Sequence, residues 1–372
     1  MFLNQHIIYT VFATTLALGG CGAPNLMDGN ASQPREAWNA PNDPLQLRGQ
    51  YEVMLTTLPT TGELDVKPWT DSYWPNYRGG IADRWNSDNR DDPFSYALHD
   101  QATLQTMSVE TMAQLSPAEK YDIFIGNFTY PLVAYERERT NSSDPTWFGL
   151  CHGWAPAAIN FKEPKPVTLT SAAGIAVPFG SSDVKALLTL VQQGGQGTRF
   201  LGERCNANLA TDPDRADDDE CRDVNPGSFH IVVANEIGLL KTGFVAEVSR
   251  DYQVWNQPVF GFSSEVLSRS EDVYATAAPG TRSIATVRTT LLYTAEIGAR
   301  WEAQPIDVYP HQTGTRVYNY TLELDEGGNI IGGEWLDAAR PDFMWTQRAA
   351  EFRGYFAAVE TIYKAATAEA PH

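Results

Sequence analysis

The chain has 372 residues, 42% of them hydrophobic and 11% aromatic, which is enough apolar material for one large core or two lobes and excludes a disordered tail. Its 46 acidic residues outnumber 27 basic ones, for a formal charge of -19. Phosphate backbones and anionic lipid heads would be repelled, so nucleic acid is excluded as a partner and an amine-bearing one is tolerated.

The first segment, "MFLNQHIIYTVFATTLALGGCG", is apolar from Ile7 to Leu18 and closes on small residues and Cys21. It fits an export signal and is too short to span a bilayer. Its "LGGC" is similar to the bacterial lipobox, in which the cysteine is acylated, although no Lys or Arg precedes the apolar stretch. Residues 1–20 therefore read as a signal peptide and Cys21 as a lipidation site. A secreted or cell-envelope location follows, with membrane contact only through the lipid anchor. Residues 21–50, rich in Pro, Asn, Asp, Gln and Ala, read as a solvated tether.

From about Glu63 to Gly195 the patterning is mainly helical. "LSPAEKYDIFIGN" places Ser116 as N-cap, Pro117 at the first helical position and Glu119 at the third, a capping box. "SSDVKALLTLVQQGG" predicts a helix that stops at Gly194. Between them, "CHGWAPAAI" predicts a helix starting near Cys151, with Pro156 tolerated only within the first turn or so.

After Gly195 the texture turns to β-branched and aromatic runs. "SFHIVVANEIG", "KTGFVAEVS", "YQVWNQPVFGF", "IATVRTTLLYTAEIG", "VYNYTLELD" and "NIIGGEWL" predict strands of a mostly antiparallel sheet, with "DEGGN" as a hairpin turn. Thr346 to about Ala368 has helical composition. A helical N-terminal lobe followed by an antiparallel β-sheet lobe is the α+β layout of papain-like cysteine enzymes.

An exported chain keeps its disulfides, so the four cysteines can be sorted. Cys21 belongs to the signal, and Cys205 and Cys221 flank the polar loop "CNANLATDPDRADDDEC", a closure suited to a disulfide. Cys151 is left unpaired, and such a thiol is either buried and inert or reactive. The acidic loop is a candidate calcium site through Asp212, Asp214 and Asp217, without EF-hand spacing; a solvated loop is the other reading.

At a helix start the macrodipole favours the Cys151 thiolate, and a histidine would favour it further. His6 and His372 lie at the chain ends, His152 points roughly 100° away around the helix, His99 lies in a loop-like stretch, and His311 follows Tyr309 and Pro310 near a strand edge. His230, inside a predicted strand, is the remaining candidate. It is either a satisfied core histidine or a general base oriented by a carboxylate, Glu247 or in its place Asp251. The Cys151 amide would serve the oxyanion. Trp147 and Trp154 either add a second donor or pack the site entrance.

"VWNQPVFGF", Val254 to Phe262, resembles the surface peptide by which plants detect an oomycete cell-wall transglutaminase, with Phe260 departing from that peptide's basic residue. "WFGLCHGWAPAAI", "SYWPNYRGGIADRW", "LSPAEKYD", "CRDVNPGSFHIVV" and "GGEWLDAARPDFMW" resemble further blocks of the transglutaminase elicitor family, which has oomycete and bacterial members. The resemblance runs from about Tyr51 to Trp345, implying a catalytic domain at 51–348 and a C-terminal helix or tail at 349–372. It implies calcium-dependent protein-glutamine γ-glutamyltransferase activity. Cys151 maps to the nucleophile and His230 to the histidine of a triad, and proteins with accessible Gln and Lys are the substrates. A cysteine peptidase or amidase with the same triad, or a non-catalytic surface binding protein, are the other readings.

Overall fold

Residues 40–89, 91–217, 221, 224–249 and 252–368 are described by a computed structural model. Its frame is an antiparallel sheet of eight strands. The strands are β1 (Thr61–Glu63), β4 (Arg199–Gly202), β5 (Phe244–Glu247), β6 (Asn256–Ser270), β7 (Ser283–Thr294), β8 (Thr313–Leu324), β9 (Ile330–Trp335) and β10 (Phe343–Thr346). They run in the order β4-β10-β5-β6-β7-β8-β9, with β1 beside β6. A separate hairpin, β2 (Val167–Thr170) and β3 (Ala176–Phe179), interrupts the region where sequence patterning predicts helix.

Side-chain alternation splits the sheet into two faces with different cores. Val245 of β5 and Phe343 and Trp345 of β10 face one core with the helices between residues 101 and 193. Phe244, Ala246 and Met344 face the other, with Tyr318, Tyr320 and the Phe229–Val233 segment. Helical layers thus lie on both sides of one sheet instead of gathering in an N-terminal lobe.

On the first face, α1 (Gln101–Thr106), α2 (Val109–Met112), α3 (Pro117–Phe124) and α4 (Pro131–Arg139) lead to α5 (Cys151–Asn160) and α6 (Ser181–Gln193). Helix α3 starts on the expected capping box, with Ser116 and Glu119 satisfying each other's amides. Pro156 sits well inside α5, beyond the first turn, so its missing N–H leaves one carbonyl of that helix without its usual donor. Helices α5 and α6 approach closely at Gly153, where an added Cβ would lie 2.3 Å from the Thr189 carbonyl oxygen. Gly153→Ala is therefore expected to destabilise the protein by about 1–3 kcal/mol, read by denaturant midpoint.

On the second face, "SFHIVVANEIG" is helical, not a strand. It forms α7 (Pro226–Val233) continued by a π-helical turn, Ala234–Leu239. Asn225 caps α7 by accepting from the Gly227 N–H at 2.8 Å, and Pro226 follows at the first turn. Every residue of α7 is buried. A helix wrapped by protein on all sides carries no polar stripe, so its β-branched run mimics a strand.

The segment read as tether is docked from Ala40 onward, residues 1–39 lying outside the described ones. Asn42 and Leu47 are buried, and Arg48 and Tyr51 bind the buried Glu236 carboxylate at 2.8 and 2.6 Å. The C-terminal stretch leaves β10 at Thr346, and its helix α8 (Ala357–Thr367) buries Val359, Ile362 and Ala366 against the first core.

Candidate active site

The loop before Cys151 is held by backbone bonds: Asn76 N–H to the Phe148 carbonyl at 2.8 Å and Leu150 N–H to the Tyr73 carbonyl at 2.6 Å. Gly149 permits the contact, since a Cβ there would meet the Tyr73 carbonyl at 2.5 Å. The chain then enters α5, and the Gly153 and Trp154 amides both turn to the Leu150 carbonyl, at 2.9 and 2.8 Å. Among the described residues, the Cys151 and His152 amides have no hydrogen-bond acceptor. They stand as paired donors beside a buried thiol.

Three neighbouring strands meet this helix start. Glu247 of β5 lies opposite Asn256 of β6, and Trp345 of β10 opposite Val245 of β5. Directly opposed residues share a face, so Trp345, Glu247 and Asn256 all lie on the Cys151 side. Asn256 Nδ2 donates to Cys151 Sγ at 3.5 Å, and the Cys151 thiol donates to the Val254 carbonyl at 3.8 Å. The Trp345 Nε1–H donates to Asn256 Oδ1 at 2.8 Å.

Two carboxyl groups act on the thiol through their charge. Glu247 accepts from the Ser249 amide and hydroxyl, each at 3.2 Å, and from the Trp255 amide. Burial nevertheless pushes Glu247 up to about 9. Glu296 accepts from Gln257 Nε2 at both oxygens, at 3.0 and 2.9 Å, and burial raises it as well. Burial likewise pushes the Cys151 thiol up, with both carboxyls adding to the rise and the Asn256 hydrogen bonds opposing it. Desolvation is the largest of these effects on the thiol.

Glu247 ties stability to pH. Its folded-state value of about 9 lies above the ordinary 4.5, so the folded chain keeps a proton that the unfolded chain releases. That contribution is fully present below about pH 4.5 and is lost as pH rises through about 9. Glu247→Gln is expected to gain stability relative to wild type by a few kcal/mol between pH 5 and pH 9. Parallel denaturant titrations check this, and a constant difference across that range would refute it.

His230 is not part of this cluster. It lies in α7 on the opposite face of the sheet, where Nδ1 meets the Tyr320 hydroxyl at 2.8 Å. Burial lowers it to about 4, so it is neutral at pH 7. Its ring is buried, and among the described residues no hydrogen bond joins it to Cys151. His152 is exposed, the His99 carbonyl accepts from the Tyr130 hydroxyl at 2.7 Å, and His311 lies in the turn Pro310–Gln312. Asp251 and Cys21 fall outside the described residues.

The Cys205–Cys221 disulfide is formed, with an S–S distance of 2.06 Å. Asp212 and Asp214 are exposed, and acidic residues 218–220 lie outside the described part. Among the described residues, no three His, Cys, Asp or Glu side chains gather to hold a metal. Sequence reading missed Asn256, Glu296 and Trp345. Asn256 and Trp345 lie within quoted blocks, but only strand register reveals that their side chains converge.

The fold and site define a mixed helix and antiparallel-sheet protein whose candidate centre is one buried cysteine at a helix N-terminus. The sequence model described as "Transglutaminase elicitor" matches residues 46–364, and the chain belongs to that family. The match runs past residue 348 into α8, which is therefore part of the family domain. The structure is similar to the crystal structure of the GP42 transglutaminase from Phytophthora sojae, with TM-score 0.63 and 26% identity over 85% of this chain and 94% of that one. No curated protein matches the chain. The block that resembles a surface peptide is buried here from Asn256 to Phe262 within β6, a strand as its patterning predicts. Among the described residues, no helix is long and apolar enough to cross a membrane.

Proposed function

We propose that the protein is a protein-glutamine γ-glutamyltransferase with Cys151 as nucleophile. The observation that carries this is the placement of the one free thiol among the described residues at the start of α5, beside two acceptor-less amides, in a chain of the transglutaminase elicitor family. Of a papain-like centre, the proposal keeps the cysteine at its helix start. It gives the proton work to a carboxyl group, because His230 lies across the sheet.

In the first half-reaction the sulfur attacks the carboxamide carbon of a glutamine side chain. The carbonyl oxygen takes up the electron pair and faces the Cys151 and His152 amides, which need no reorganisation to receive it. The thiol proton passes to Glu296, the half-buried carboxyl acting on Cys151. The C–N bond then breaks, and the nitrogen leaves with that proton as ammonia, giving a thioester. In the second half-reaction a lysine amine attacks the thioester and loses a proton through the same carboxyl. An isopeptide bond forms and the thiol is restored. Water in place of the amine gives deamidation.

Export and lipid anchoring at Cys21 belong to the same proposal, as does the calcium dependence implied by family resemblance. The test is incorporation of a labelled primary amine into a glutamine-bearing protein, with calcium and with chelator. Incorporation supports the transferase, and loss on chelation supports the calcium requirement. Peptide cleavage without incorporation would replace the reading with a peptidase, and binding without either reaction would replace it with a surface binding protein. His230→Asn should keep at least about a third of wild-type incorporation, where loss of a catalytic base would cost about 100-fold or more.

A further inference from the structure

We propose that Asn256 is a catalytic residue whose side-chain amide stabilises the Cys151 sulfur as its proton leaves, and that Trp345 is the residue that positions it. The proposal rests on Cys151 being the nucleophile, but not on which acyl acceptor follows.

The argument starts from the two ends of an amide. One end only accepts and the other only donates. Asn256 is buried, and its oxygen is taken at 2.8 Å by the indole N–H of Trp345, a group that can only donate. Rotating the amide by half a turn would set NH2 against N–H, so the indole fixes the orientation of the amide. The NH2 end is thereby aimed at Cys151 Sγ, 3.5 Å away. The indole is itself held, because the Phe200 ring stacks on it at 5.6 Å with planes 13° apart. Register keeps the three strands in step, with Trp345 opposite Val245 on β5 and Asn256 opposite Glu247 of the same strand.

A hydrogen bond to a charged acceptor is stronger than one to its neutral form, so this amide favours S⁻ over S–H. Histidine cannot fill that role from across the sheet, and the Glu247 and Glu296 carboxyls oppose the anion. A neutral donor serves where a second charge would have to be buried. When the glutamine carboxamide is attacked, the sulfur loses its charge and the Asn256 amide remains within reach of the reacting centre.

The test reads the thiol and not the transfer reaction. The rate of iodoacetamide alkylation at Cys151 is followed from pH 6 to pH 11 by mass spectrometry of the peptide that contains it. Asn256→Ala is expected to move the midpoint up by about one to two pH units, lowering the rate at neutral pH about 10- to 100-fold. Asn256→Asp keeps an acceptor for the Trp345 indole and preserves shape, yet it should move the midpoint at least as far because it removes the donor and adds negative charge. Trp345→Phe should move it in the same direction by less, and should add almost nothing in the Asn256→Asp background. Midpoints unchanged or lowered in the two Asn256 variants, with near-ultraviolet circular dichroism preserved, would overturn the proposal. So would a Trp345→Phe shift that is fully additive with Asn256→Asp. Shifted midpoints in a protein that incorporates no amine would uphold Asn256 while refuting the transferase.

Discussion

Cys151→Ala is expected to lower amine incorporation on the order of 10⁴-fold or more, with the fold intact. The size follows from chemistry. Without the sulfur there is no thioester, and the remaining amide donors could assist only direct attack by an amine on an unactivated carboxamide. The fold should survive because Cys151 opens α5 and packs as a small side chain, so alanine removes one sulfur and forfeits about 1 kcal/mol. Its removal also frees the Asn256 amide from its sulfur acceptor, a modest further loss. Circular dichroism and the thermal midpoint check the fold, while a labelled amine and a mass-detected thioester check the chemistry. Cys151→Ser should be almost as inactive, since a hydroxyl in a site built without a strong base is a far weaker nucleophile. Equal incorporation by wild type and Cys151→Ala would end the case for this centre.

Elements governed by local chemistry could be read from the sequence. Ser116 and Glu119 announce α3 because the cap contacts lie three residues apart, and the strands after residue 244 alternate because one face meets each core. Cys151 was legible for the same reason: an unpaired thiol between an aromatic loop and a small-residue helix stands out. His230 was misread because α7 is buried on every side, so its pattern carried no helical period and its β-branched residues suggested a strand. Asn256, Trp345 and Glu296 lie at sequence separations of 89 for the Trp345–Asn256 bond and 39 for the Gln257–Glu296 bond. Nothing local marks such pairs. They exist because β10, β5, β6 and β7 are neighbours in the sheet, a fact of topology and not of pattern.

Asp183→Ala is expected to cost about 3–5 kcal/mol of stability, the largest loss from any single substitution considered. Lys120 of α3 and Asp183 of α6 form an ion pair at 2.6 Å with both side chains fully buried. Burial pushes the lysine down and the aspartate up, each toward its neutral form, and the partner holds each charged. The aspartate has other support, from the Trp85 indole at 2.9 Å and the Gly180 amide at 2.7 Å. The lysine has the Ala113 carbonyl at 2.9 Å and the face of Trp301. Removing Asp183 therefore strands a buried cation that has no other ion-pair partner among the described residues, and Lys120→Met should cost less because the aspartate keeps two donors. Replacing both, as Lys120→Met with Asp183→Leu, should recover much of the loss by removing the buried charges together. The consequence reaches the active centre through helix α6. Asp183 sits in its first turn, and Thr189, farther along, presses its carbonyl against Gly153 only two residues from Cys151. An α6 released at its start can shift where it supports α5, so Asp183→Ala should lose activity even at temperatures where it stays folded. The double variant separates the two effects, because restored stability without restored amine incorporation would show that the ion pair sets the position of the nucleophile as well as the strength of the core.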